Sequence, residues 1–332
     1  MIFDGRIESR RTGEIRRDGR THASETMSTE INTSETETEL FTNQQNSGLY
    51  VGTDSDGEHL YADPFASEDA TSNHILTVGD RGMGKTYGAQ STALEWVEAD
   101  EGRSLVVIER GDQFTPVVKW HGGVRYRTLE NLPTTPYDVA HDHINLEPLR
   151  YQDETTVVNA VFAYLRAKVR GHQSGEMLVV IDDVDDLFCE REHDRFDSLL
   201  DALSRNDARA WLITQHPRRL FGTPPSGLTD EPAPLVRRFG TVQCFRTATQ
   251  TSLLHQMGYT DEECEAIRHL DRHQCIVRGV TEERDSGERI HRDTQAVAIE
   301  TAPEPAHSIL TYNSSNDGGV LEYLNTVTEG GS

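Results

Sequence analysis

The run Gly79-Asp80-Arg81-Gly82-Met83-Gly84-Lys85-Thr86 has the spacing G-x-x-x-x-G-K-[ST] of a phosphate-binding loop (Walker A). Its glycines let the backbone curl so that successive N–H groups point inward at phosphate oxygens. A helix opening behind it, at Thr86 and Tyr87, adds free N–H groups and the positive end of its dipole. In such a loop Lys85 reaches the β- and γ-phosphates and the Thr86 hydroxyl holds Mg²⁺. ATP with Mg²⁺ is the ligand this chemistry implies. Lysine usage supports Lys85 independently: the chain has 32 Lys+Arg, of which only Lys85, Lys119 and Lys168 are lysines. A phosphate cradle needs a compact point charge, whereas arginine favours flat bidentate pairing.

Two further stretches could complete the chemistry. Met177-Leu-Val-Val-Ile-Asp182-Asp183 is an apolar run ending in paired acids, the shape of a Walker B strand. Such a strand is apolar throughout because it is buried between helices. Asp182 at its tip is expected to hold the Mg²⁺ shell, and Asp183 to orient or deprotonate the attacking water. Ala208 to Gln215 reads as a second buried strand, which puts Gln215 beside the acids, in reach of the γ-phosphate or the water. Asp185 and Asp186 read as a solvated turn.

The elements that must position these groups follow the same patterns. His74 to Val78 is a short buried strand feeding the loop, and Thr86 to Ala99 carries Ala89, Ala93, Leu94 and Val97 at helical spacing. Before them, Gly48 to Tyr61 reads as a hairpin turning at Asp54-Ser-Asp-Gly57. Ser104 to Glu109 is another buried strand, with Arg110-Gly-Asp-Gln-Phe114 at the end where open α/β sheets place ligands. Val124 to Thr128 is a weaker strand. Asp153 to Arg170 is a helix with Val157, Val158, Val161, Phe162, Leu165 and Val169 on one stripe. Arg191 to Arg205 is a helix with Phe196, Leu199, Leu200 and Leu203 along one side. Residues 221 to 235 are a Pro- and Gly-rich loop. Phe239 to Phe245 is a strand, and a helix follows near Gln250 to Met257. Thr260-Asp-Glu-Glu263 is a capping box opening a helix to Leu270. Gln274 to Val280 and Arg289 to Glu300 form a second hairpin. Inside the loop, Arg81 and Met83 are expected to point outward, Arg81 toward a neighbouring subunit.

At 332 residues the chain suits one large domain with tails. Met1 to Ser47 and Thr301 to Ser332 are expected to be disordered, since they are too polar or too rich in Pro, Ser and Gly to bury a core. Arg6, Arg10, Arg11, Arg16, Arg17 and Arg20 lie in the first tail, diluted by Glu8, Glu14 and Asp18. The abrupt change at Met27 suggests that translation starts there. The 56 acids give a formal net charge of -24. With so few lysines, that composition looks like the cytoplasm of a salt-loving archaeon. It excludes a broadly basic, histone-like binder but leaves a locally positive groove possible. Cys189, Cys244, Cys264 and Cys275 form no C-x-x-C pattern and read as buried free thiols in a reducing cytoplasm. No run approaches the roughly 18 apolar residues of a membrane-spanning helix, so membrane association would go through a partner.

Four stretches in this order resemble one family: His74 to Thr86, Ile144-Asn-Leu-Glu-Pro148, Leu178 to Asp183, and Leu212-Ile-Thr-Gln-His-Pro217. The chain resembles the FtsK/HerA superfamily of P-loop ATPases, including its VirB4 and TraG/VirD4 branches. Phe239 to Arg246 and Leu270 to Val277 also look like that family, and the resemblance covers about residues 48 to 300. It implies a RecA-like (ASCE) α/β fold with a mostly parallel central sheet, one ATPase domain over 48–300, and a ring, usually a hexamer, that translocates double-stranded DNA. By position, Lys85 and Thr86 match the Walker A pair, Asp182 the Walker B acid and Gln215 the sensor glutamine. Asp183 stands where the family usually has glutamate, and is one methylene shorter. The arginine-finger position falls on Val242, with Arg218, Arg237, Arg238 and Arg246 as nearby candidates. A different class of function, an ATP-gated assembly or switch protein that barely hydrolyses, fits the same motifs. A kinase has less use for paired acids, and no Leu-Ser-Gly-Gly-Gln run supports an ABC-type ATPase.

Overall fold

Strand β4 (His74–Val78) lies in the interior of a twelve-stranded sheet and ends at the phosphate loop. The computed structural model describes residues 41–42, 48–65, 73–135, 137, 139–147, 152–172, 175–183, 185, 187, 193–221, 234–282 and 289–299. For residues 41, 42, 193, 234, 237, 280–282 and 289–296 it describes the backbone alone. In chain order the other strands are β1 (Phe41–Thr42), β2 (Leu49–Thr53), β3 (His59–Ala62), β5 (Ser104–Glu109), β6 (Val124–Tyr126), β7 (His141–Asn145), β8 (Met177–Asp182), β9 (Ala208–Thr214), β10 (Phe239–Phe245), β11 (Gln274–Glu282) and β12 (Arg289–Ala298). Their spatial order is β1-β3-β2-β12-β11-β10-β4-β9-β8-β5-β7-β6. From β10 to β6 every pairing is parallel; from β11 to β1 every pairing is antiparallel.

Alternation along the parallel strands builds the core. Ile75, Leu105, Val107, Leu178, Val180, Trp211 and Ile213 face one side, under α1 (Lys85–Glu98) and α2 (Thr115–Trp120). Leu76, Val78, Val106, Ile108, Val179, Ile181 and Leu212 face the other. There they meet α3 (Glu154–Gly171), α4 (His193–Ser204), α5 (Pro217–Phe221), α6 (Thr251–Gln256) and α7 (Asp261–His269). Helices on both faces are what parallel strands require. The expected helical stripes are buried: Val161, Phe162 and Leu165 on α3, and Phe196, Leu199, Leu200 and Leu203 on α4. Asp153 caps α3 through the Thr156 amide, and Thr260 and Glu263 form the capping box of α7.

Several expectations are corrected. The two hairpins are one continuous surface, because β12 pairs with β2 at Ala298 and Thr53. Phe41–Thr42, placed in the expected tail, forms a short strand on β3. Strand β7 and helices α2 and α5 were not foreseen. Cys244, Cys264 and Cys275 are buried free thiols. Cys189, Asp186, the loop at 222–233 and both tails apart from Phe41–Thr42 lie outside the described residues.

His74 anchors the start of β4. It is fully buried; its Nδ1 accepts from the Ala210 amide (3.0 Å), while Nε2 lies 3.2 Å from Leu200 O and 3.1 Å from Ser204 Oγ. Burial, reinforced by Arg209, pushes its pKa down to about 3. Because this is below the unfolded value, the unfolded chain binds the proton first as pH falls. His74 therefore supports full stability above pH 6.5, and that support is lost toward pH 3 at about 1.4 kcal/mol per pH unit. Asp182, raised to about 7, titrates in the opposite sense between its unfolded value and 7. The difference between wild type and His74→Asn isolates the histidine, since Asn keeps an acceptor for Ala210. Urea unfolding from pH 7.5 to 5 should show the wild type losing stability relative to the variant below pH 6.5. Parallel curves would contradict the assignment.

Candidate active site

The glycines of the loop are placed by backbone need. Gly82 and Gly84 have φ of 80° and 108°, a region that side chains with a Cβ avoid. The loop is tied on both sides: Gly79 N donates to Thr214 O of β9 (3.3 Å), and Asp80 N to Arg246 O just past β10 (2.9 Å). The Asp80 carboxylate accepts from Thr247 Oγ1 and the Ala248 amide. Below the loop, Trp211 Nε1 donates to Thr77 Oγ1 (2.8 Å), which donates to Gln243 Oε1 (2.7 Å), linking β9, β4 and β10. Lys85 is buried and donates to Asp80 O (3.0 Å). Burial lowers its pKa, against the pull of Asp182, Asp183, Asp80 and Asp185.

The acids converge on this point. Although β9 separates β8 from β4, Thr86 Oγ1 donates to Asp182 Oδ2 at 2.8 Å. Burial and the neighbouring Asp183 push the Asp182 carboxyl up to about 7; the Thr86 bond works against that. A hydroxyl and a carboxylate meeting in a buried, acid-rich spot form an all-oxygen donor set of the kind a hard cation such as Mg²⁺ takes. Asp183 adopts φ 54°, and its Oδ1 accepts from Gln215 Nε2 at 2.7 Å. Asp182, Asp183 and Gln215 are thus brought together with Lys85 and Thr86 from three strand ends.

Asp185, expected in a solvated turn, is buried and holds the segment 214–216. Its carboxylate accepts from Thr214 Oγ1 (2.5 Å) and from the amides of Gln215 and His216 (3.1 Å each). The missed signal was a third acid three residues past Asp182, opposite a strand end with free N–H groups. Asp185→Ala removes this acceptor from the buried Thr214 hydroxyl, at a cost of about 1–3 kcal/mol, and from the Gln215 amide, while the His216 amide keeps Thr214 Oγ1 (2.9 Å). It should lower the thermal midpoint and reduce turnover through a loosened Gln215, with KM for ATP little changed. Unchanged turnover would show that Gln215 is held independently.

Beyond β8, Glu109 at the tip of β5 was also missed as a structural acid. It accepts from the amides of Gln113 (3.2 Å) and Phe114 (2.8 Å), and His143 Nε2 lies 2.9 Å away in ion-pair rather than hydrogen-bond geometry. It fixes the Arg110–Phe114 turn beside the acids.

Arg81 is exposed, as expected, but Met83 is partly buried against the cluster of Val51, Leu60, Phe245 and Val277. A cleft of about 910 Å³ opens beside the loop, lined by Asp80, Arg81, Gln215, Arg218 and Arg219 among others. Arg218 and Arg246 are exposed at this end of the sheet. Arg238 is at the opposite end, next to the start of β10. It is held there by Asp197 (2.7 Å) and Asp201 (2.6 Å) on α4. The side chain of Arg237 lies outside the described residues.

No family model matches the sequence, and no curated protein matches it. Among solved structures, the chain is similar to VirB4 of Thermoanaerobacter pseudethanolicus, with a TM-score of 0.59 at 10% identity, over 79% of this chain and 98% of that one. Weaker likenesses are to the type VII secretion ATPase EccC of Thermomonospora curvata (0.49, 16%, covering 82% and 30%). Another is to the genome packaging NTPase B204 of Sulfolobus turreted icosahedral virus 2 with ATP-gammaS (0.42, 13%, covering 66% and 95%). At such identities the likeness to VirB4 bears on the fold alone, a large, mostly parallel sheet with helices on both faces.

Proposed function

We propose that residues 48–300 form the ATP-hydrolysing subunit of a FtsK/HerA-type ring motor, a homo-oligomer and most simply a hexamer, that translocates double-stranded DNA. The observation that carries this reading is the pair of hydrogen bonds Thr86–Asp182 and Gln215–Asp183, which joins a cation site to a water-activating site at the mouth of one phosphate loop. Lys85 and the loop amides hold the phosphates. Thr86 and Asp182 would hold Mg²⁺, whose charge offsets that on the phosphate oxygens. Asp183 takes the proton of the attacking water, and Gln215 orients that water after letting go of Asp183. Arg218 and Arg246, exposed near the loop, are the better placed of the arginine candidates to serve a neighbouring subunit. DNA as cargo follows the sequence resemblance.

Among the described residues no helix is long and apolar enough to cross a membrane. We place the motor in the cytoplasm, recruited by a membrane or capsid protein, with an acid-rich surface suited to high salt. A second reading is an ATP-gated switch. It is favoured by the short Asp183 being engaged by Gln215, a bond that must open before Asp183 can reach a water. Displacement of a triplex-forming strand from long duplex DNA tests the motor. Displacement that requires ATP hydrolysis is expected; hydrolysis without any displacement or duplex binding would contradict DNA translocation.

A further inference from the structure

Sheet order gives the bound nucleotide a direction. On one side of β4 lie β9 and β8, with Gln215, Asp182 and Asp183, where the terminal phosphate must react. On the other side lie β10 and β11, so the α-phosphate and the nucleoside leave the cradle toward these strands. The turn entering β11 meets the loop there, at His273. Its amide donates to Met83 O (2.9 Å) and its carbonyl accepts from Ile299 N (2.7 Å). Its imidazole lies so close over Gly84 that a Cβ on that glycine would come within 2.5 Å of Nδ1. The ring also meets Tyr87 edge to face, with centroids 6.0 Å apart.

Two features single His273 out. Its φ is 67°, a conformation that glycine would take at lower cost. Its Nδ1 is buried with no hydrogen-bond partner, a state native structures seldom leave unused. Burial, helped by Arg272, lowers its pKa and favours the neutral ring, which carries one donor and one acceptor nitrogen.

We propose that His273, together with Tyr87, is the nucleoside-side wall of the site, contacting the ribose and α-phosphate so that the loop prefers a nucleotide over a bare polyphosphate. A small rotation that lifts Nδ1 off Gly84 offers an acceptor to a ribose hydroxyl and a donor to an α-phosphate oxygen. The proposal rests on the ATP-binding reading above. Isothermal titration with Mg·ATPγS and with Mg·tripolyphosphate separates the two ideas, using wild type, His273→Asn and His273→Gly. Asn tolerates the positive φ, and Gly relieves it, so both keep the turn; thermal unfolding checks that each variant is folded. Both variants should bind ATPγS about tenfold more weakly, the worth of one good polar contact, and bind tripolyphosphate as the wild type does. Equal losses for the two ligands would make His273 a strut for the loop and overturn the proposal, as would unchanged ATPγS binding. A wild type that binds neither ligand would overturn the ATP-binding reading itself.

Discussion

Asp183→Asn is expected to cut ATP turnover by about 10²–10⁴-fold, the usual worth of a positioned general base. The substitution is nearly isosteric. Asn also tolerates the left-handed backbone that Asp183 occupies at φ 54°, so the turn after β8 should survive. The amide can still accept from Gln215 Nε2, preserving the 2.7 Å contact, but it cannot take a proton from water. Binding should be little changed, because Lys85, Thr86 and Asp182 are untouched. The contrast to measure is KM against kcat, with Lys85→Ala as the comparison that weakens both. If Asp183→Asn turned over like the wild type, Asp183 would be a structural residue and the switch reading would gain.

The largest expected loss of stability comes from Asp142→Asn. Asp142 is fully buried on β7, where its Oδ2 accepts from Tyr137 (2.7 Å) and Tyr164 (2.8 Å) and pairs with Lys168 Nζ at 2.8 Å. Lys168 is itself buried, stacks over Tyr137 and also donates to Val139 O. Removing the carboxylate charge leaves an ammonium in the interior without its counter-charge. Breaking such a pair from one side costs about 3–5 kcal/mol. Replacing both partners, Asp142→Asn with Lys168→Met, should recover most of that loss, because no charge then remains buried. Denaturant unfolding of the two single variants and the double closes the cycle. Additive losses would show that the two residues are not coupled.

The same cluster explains what the sequence hid. Buried parallel strands such as β4, β5, β8 and β9 each carry a central apolar run, so they could be read directly. Strand β7, His141-Asp-His-Ile-Asn145, looks like a loop because its polar side chains find partners only in the folded chain. Asp142 pairs with Lys168, His143 sits against Glu109 and Thr115, and Asn145 Nδ2 donates to Asp112 Oδ1. Helix α2 was missed because six residues carry too little periodicity, and Asp185 because its partners lie across the sheet on the segment after β9. Lys85, Thr86, Asp182 and Gln215 could be named because loop spacing and strand ends fix them locally. An arginine finger, which the proposed ring would require, could not be named, since a group that acts on a neighbouring copy is constrained by contacts that one chain does not contain. His273 was invisible for a related reason: its significance lies in a contact with Gly84, far away in sequence.

The measurement that bears most directly on the central claim is steady-state ATP hydrolysis in molar KCl with Mg²⁺, with and without long double-stranded DNA, for wild type and Lys85→Ala. Turnover that rises with DNA and disappears in Lys85→Ala is the predicted result. Tight ATP binding without turnover, whether or not DNA is present, would contradict the motor and leave a nucleotide-gated assembly protein in its place.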